Sequence, residues 1–134
     1  MNRVDIATSA AQWVNTLKQQ HGPLMFHQSG GCCDGSSPMC YPLGTFIVGS
    51  SDVYLGDVVD CPFFMSAAQF EYWQHTHLTL DTVSGRGSGF SVEAPHGIRF
   101  LIRSRLFSDE EWANVTPILS GDVWLKNQHD ASHA

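Results

Sequence analysis

The apolar residues of this chain come in short runs cut by glycine, proline and polar clusters. No run approaches the roughly 18 to 20 apolar residues that cross a bilayer. A chain patterned this way must bury its hydrophobic residues through several short elements folded on one another. At 134 residues, 43% of them hydrophobic, it is long enough for one core and too short for two ordinary ones. A single domain over 1–134 is expected, and a membrane-spanning protein is not. The opening Met1-Asn2-Arg3-Val4-Asp5 lacks the basic stretch and the apolar run of about 7 to 15 residues of a secretory signal. A cytoplasmic location is therefore the default expectation. Seven Lys and Arg stand against 13 Asp and Glu, so the electrostatic attraction behind nucleic-acid binding is missing.

Helix and strand signals alternate along the chain. Ser9-Ala10-Ala11-Gln12 has the form of a capping box, Ala10, Trp13, Val14 and Leu17 recur at helical spacing, and His21-Gly22-Pro23 supplies a stop. Leu24 to Gln28 then fits a strand with Leu24, Phe26 and Gln28 on one face and Met25 and His27 on the other. Thr45 to Met65 is rich in β-branched and aromatic residues and fits two or three strands. Ser66-Ala67-Ala68-Gln69 opens a short helix or turn, and a strand over about Thr76 to Val83 follows. Beyond the glycine-rich turn Ser84 to Gly89, strands are expected over Phe90 to Glu93 and Ile98 to Phe107. The second carries Arg99, Arg103 and Arg105 on its polar face, which reads as a solvated face balanced by carboxylates. Ser108-Asp109-Glu110-Glu111 is a third capping box, expected to open a short final helix carrying Trp112. Residues 126–134 are polar and are expected to fray.

The chemistry concentrates in Ser29-Gly30-Gly31-Cys32-Cys33-Asp34-Gly35-Ser36-Ser37-Pro38-Met39-Cys40. Four cysteines in a reducing compartment point to thiols, metal ligands or redox centres rather than structural disulfides. A glycine-framed loop can bring Cys32, Cys33 and Cys40 together, with backbone N–H groups turned inward to stabilise thiolate. Thiolates suit zinc, copper or iron, or an iron–sulfur cluster. The alternative is that these cysteines are small buried hydrophobes. His27, just upstream, is either a nitrogen ligand, a group that lowers a thiol pKa, or a hydrogen-bonded structural residue. His75 and His77, at i and i+2 of a strand, form a workable two-histidine metal arrangement. Cys61 reads as packing. The chain has no G-x-S-x-G, H-E-x-x-H or P-loop.

Two resemblances rest on these residues. Phe26-His27-Gln28-Ser29-Gly30-Gly31-Cys32-Cys33-Asp34-Gly35-Ser36, with Gly87-Ser88-Gly89-Phe90 downstream, resembles a small bacterial family catalogued as a domain of unknown function. Its genes often sit beside those of aldehyde dehydrogenases, so the resemblance implies such an enzyme as partner. The order helix, strand, Gly30-Gly31-Cys32, then Ser66, Asp81, Gly89-Phe90 and Pro95 is similar to the HesB-like A-type iron–sulfur carriers. That similarity implies an α+β fold, a distorted β-sandwich with a flanking N-terminal helix and a short C-terminal helix. Only Cys32 matches the carriers' ligands, because no cysteine follows Pro95.

Three functions fit these expectations. The first is an accessory protein for an aldehyde dehydrogenase, not itself an enzyme, that carries a metal-binding or thiol-redox loop. The second is an iron–sulfur scaffold or carrier, working as a homodimer that pools two loops. The third is a small enzyme acting on aldehyde adducts, with Cys32 or Cys33 as nucleophile and His27 as base.

Overall fold

The computed structural model describes residues 1–30, 35–85 and 91–132, with side chains to 128. Cys32 and Cys33, and with them most of the glycine turn after Gly85, lie outside the described residues.

The chain opens with a strand, β1 (Val4–Ile6), that pairs in parallel with a later one, β6 (Thr76–Ser84). The pairing continues one residue further, as Ala7 N–H donates to Leu80 O at 2.9 Å. Helix α1 (Thr8–His21) follows without a break, and its buried face is Ala10, Val14 and Leu17. The expected capping box does not form, because the sheet sets where the chain enters the helix. Ala7 is the N-cap with no side-chain cap bond, and Ser9 reaches Asp81 instead, at 3.4 Å. Gly22, at φ 79°, ends the helix as the stop signal requires.

β2 (Leu24–Gln28) has the expected bounds, but both of its faces are buried. It pairs with β3 (Met39–Pro42) on one side and in parallel with β5 (Cys61–Ser66) on the other. β4 (Asp52–Val58) pairs antiparallel with β5. The segment Thr45 to Met65 thus holds two strands, with residues 45–51 as a loop. Val59 and Asp60, at φ 48° and 61°, form the two-residue β4–β5 turn. Positive φ at both positions makes it a type I′ turn, the hairpin turn whose twist matches its strands.

Helix α2 (Ala67–Trp73) begins at Ser66, whose hydroxyl accepts from Gln69 N–H, as that sequence motif indicates. β6 (Thr76–Ser84) and β7 (Ile98–Leu106) form a long antiparallel pair, completing a three-stranded sheet in the order β1-β6-β7. Between them the expected strand up to Glu93 is instead a turn followed by a 3-10 helix, Ala94–His96. Pro95 cannot donate to a ladder, and Ser91 and Glu93 are turned into the interior. Helix α3 (Asp109–Ala113) has the full capping box at Ser108. It is not the last element. β8 (Leu119–Ser120) joins the edge of β4, and α4 (Gly121–Ser132) runs through the segment expected to fray. The reason is Trp124, which packs edge-on against Phe64 at 4.8 Å and anchors the helix.

The result is α+β: the three-stranded sheet and a five-stranded sheet ordered β3-β2-β5-β4-β8. The main core lies between them. Phe26 meets Phe100 edge-on at 5.0 Å across the gap, and α1 supplies Val14 and Leu17. A second, smaller core covers the opposite face of the five-stranded sheet, where Met25, Val48, Phe64 and Trp124 cluster. No described helix is long and apolar enough to cross a membrane.

Candidate functional site

Side chains alternate across a strand, so β2 feeds two different environments. Phe26 belongs to the main core, while Met25 and His27 face the smaller one. His27 is in register with Phe64 of β5, and Phe64 with Tyr54 of β4. Asp52 lies two residues before Tyr54 on the same face. Strands two places apart in a sheet are roughly 9.6 Å apart, and the His27 and Asp52 side chains close that gap across β5. His27 Nε2 stands 2.7 Å from Asp52 Oδ1, and both residues are buried. Asp52 Oδ2 accepts Gly49 N–H at 3.0 Å, which fixes the carboxylate in its plane. Phe46 lies over the imidazole, ring centres 4.3 Å apart.

The other ring nitrogen, Nδ1, is 2.6 Å from Ser29 Oγ. A carboxylate only accepts, so a neutral His27 donates from Nε2 to Asp52 and accepts the Ser29 hydroxyl at Nδ1. That is the hydrogen-bond order of an activated hydroxyl or thiol site: carboxylate, imidazole, then a group whose proton the imidazole can take. Ser29 is exposed, at the C-terminal end of β2. This end runs directly into Gly30-Gly31-Cys32-Cys33. Beneath it Gln28 is buried, its Nε2 donating to Gly30 O and tying the loop's first residue to the strand. At the loop's far end, Gly35 N–H donates to Ile102 O at 2.8 Å, and Arg99 donates to Gly35 O and Ser37 Oγ. Of the three arginines expected on a carboxylate-balanced face, Arg103 pairs with Asp81 and Arg105 with Glu111, both at 2.8 Å. Arg99 instead pins the thiol loop.

The remaining candidates stand apart from His27. Cys40 is not a loop residue. It lies in β3, paired with Phe26, and is fully buried in the main core. Burial is the main reason its thiol is held well above the ordinary range, and Glu93 and Cys61 add to it. Cys61 is also in that core, pushed up to about 11 by burial. Glu93 sits beside Cys40, accepting from the Ser91 hydroxyl that also receives Cys40 N–H at 2.8 Å. Burial raises its carboxyl pKa. His75 and His77 do not act together either. His75 precedes the strand and packs on Trp112 at 4.7 Å, while His77 binds Asp5 at 2.7 Å. His77 is in the far sheet and His75 just before it. No three His, Cys, Asp or Glu side chains among the described residues are placed to share a metal ion. Of the expected ligand set, only Cys32 and Cys33 are left as neighbours of His27 along the chain.

The family model described as "Domain of unknown function (DUF779)" matches residues 13–106. The chain belongs to that family. The matched stretch holds His27, Asp52, the thiol loop and both buried cysteines, while β1, α3 and α4 lie outside it. No curated protein and no solved structure matches.

Asp52 is the residue of this candidate site that no motif in the sequence singles out. One signal was available: aspartate is disfavoured in strands, yet Asp52 opens one directly after the turn residues Gly49-Ser50-Ser51. A carboxylate at that position needs a partner.

Proposed function

We propose that this DUF779 chain is a small thiol-dependent protein in which Cys32 or Cys33 reacts with an electrophile, with His27 as the acid–base group. The observation that carries the reading is the buried Asp52–His27 pair, whose other ring nitrogen is hydrogen-bonded to Ser29 at the root of the thiol loop. The base is oriented from behind and addressed toward the segment that carries the nucleophiles.

In the reaction, the proton of the cysteine S–H passes to His27 Nδ1, directly or through the Ser29 hydroxyl. The resulting imidazolium is stabilised by Asp52. The thiolate forms a C–S bond to a carbonyl carbon, and the C=O pair becomes an alkoxide. The imidazolium returns its proton to that oxygen, giving a thiohemiacetal. No oxidant or reductant is consumed. Such capture suits a protein that works beside an aldehyde dehydrogenase, the partner that the family resemblance implies.

The test is the second-order rate of iodoacetamide labelling of the reduced protein, read by peptide mass. Cys32 or Cys33 should label rapidly near neutral pH. Replacing His27 with Gln, or Asp52 with Asn, should slow that labelling about tenfold or more. If both variants fold and label at the wild-type rate, the reading is overturned.

A further inference from the structure

We propose that the cleft on the far side of Phe46 from His27 is a binding seat for an uncharged aliphatic chain. It deepens the preceding reading, and rests on it only for which end of the bound molecule would face His27. The cleft encloses about 400 Å³, within the roughly 300–1,000 Å³ of small-molecule sites. Met25, Val48 and Trp124 form its walls, Leu43 and Leu125 its rim, and Phe46 the wall it shares with the imidazole. Among the described residues that line it, none is charged, and Gln128 gives the only polar side chain.

Three features decide the occupant. The described lining residues offer no partner for a charge, so burying a carboxylate or an ammonium against them would go uncompensated. The rim is local: among the described lining residues Leu43, Ile47 and Leu125 are exposed, at 45%, 88% and 41%, far short of the roughly 20–30 residues a side that hold two proteins together. The position is directional, because Met25 and His27 are neighbours on one face of β2. A chain seated against Met25 and Phe46 is therefore separated from the imidazole by the Phe46 ring.

A series of 1-alkanols from butanol to decanol tests this, because they carry no electrophile and so read the seat even if the thiol reading fails. Titrations of the full chain, followed by tryptophan fluorescence with Trp124→Phe as control, should show affinity rising about fourfold per added methylene until the cleft is full. Leu125→Asp and Leu43→Asp, at exposed positions that the fold tolerates, should each weaken 1-octanol at least tenfold. In proton NMR the His27 ring signals should move on 1-octanol binding, while those of His75 do not. The proposal is overturned by an affinity independent of chain length, or by octanol binding that leaves His27 unmoved. It is also overturned if octanol does not bind, and a dimer in sedimentation that Leu125→Asp breaks would then assign the cleft to a second copy of the chain.

Discussion

His27 and Cys40 stand on opposite faces of one pair of strands. The β2–β3 register sets Phe26 against Cys40 and His27 against Met39, so the thiol points into the main core while the imidazole points away from it. No rotamer change brings them together, since the sheet itself lies between. The three-thiol loop foreseen from the sequence is therefore a two-thiol loop followed by a core cysteine.

This separation predicts how the four cysteines divide. Thiolate is the reactive form, and burial holds the Cys40 and Cys61 thiols above their ordinary range, Cys61 at about 11. In the native protein at pH 8, Cys40 and Cys61 should label no faster than the chain unfolds globally, so that rising urea speeds them in step with denaturation. Fast labelling of Cys40 in the folded protein would show that β3 opens locally and that its thiol is available after all.

What was legible in the sequence is what neighbouring residues decide. The stop of α1, the bounds of β2 and the serine caps of α2 and α3 all follow from local spacing and local hydrogen bonds. What was not legible depends on register between distant segments. β1 is three residues long and exists because β6 offers it a parallel edge. The α4 segment reads as polar, and it becomes a helix because Trp124 has Phe64 to pack on. His27 and Asp52 meet only because β5 is inserted between their strands, which no spacing along the chain encodes. The pairing of Cys40 with Phe26 is of the same kind.

Gly121 should prove as important to the site as a residue that touches His27. A Cβ there would lie 2.1 Å from Gly49 O, backbone that cannot swing aside. Gly49 N–H in turn holds Asp52 Oδ2. Gly121→Ala must push α4 and the Gly49 corner apart, costing about 1–3 kcal/mol as overpacking does. The expected outcome is a lower urea midpoint together with changed ring signals of His27. Ser120→Ala, one residue earlier, should leave those signals in place. A Gly121→Ala protein with wild-type stability would mean that the corner relaxes freely and does not position Asp52.

The β4–β5 turn holds two non-glycine residues in the left-handed region, Val59 and Asp60. Glycine adopts that region at no steric cost and is the preferred second residue of a type I′ turn. Asp60→Gly should stabilise the protein by about 0.5–1 kcal/mol, the relief of left-handed strain outweighing the added freedom of the unfolded chain. The turn is held to the rest of the fold at Val59, whose side chain packs on the main core and whose carbonyl oxygen accepts from Lys18 Nζ at 3.0 Å, and neither contact is touched. A rise of about 2–4 °C in the thermal midpoint is the expected reading. A fall would show that the Asp60 side chain, not its backbone, is what the turn uses.

Glu93 predicts the slope of stability with pH above the ordinary carboxylate range. Its pKa is raised, chiefly by burial, so the folded protein keeps this proton to a higher pH than the unfolded chain does. In that interval the native state binds more protons, and stability must fall as pH rises. Asp81 acts with the opposite sign: the hydrogen bond from Arg103 lowers its pKa, so its contribution is lost as pH falls through the lowered value. The two windows lie on either side of the normal carboxylate pKa and can be separated. Glu93→Gln cannot ionise, and its carbonyl oxygen can still accept the Ser91 hydroxyl. Whatever constant offset the substitution brings, the difference in urea midpoint between variant and wild type should move in the variant's favour from pH 4.5 to pH 8. A difference that stays flat over that range would mean that Glu93 is as readily ionised in the fold as out of it.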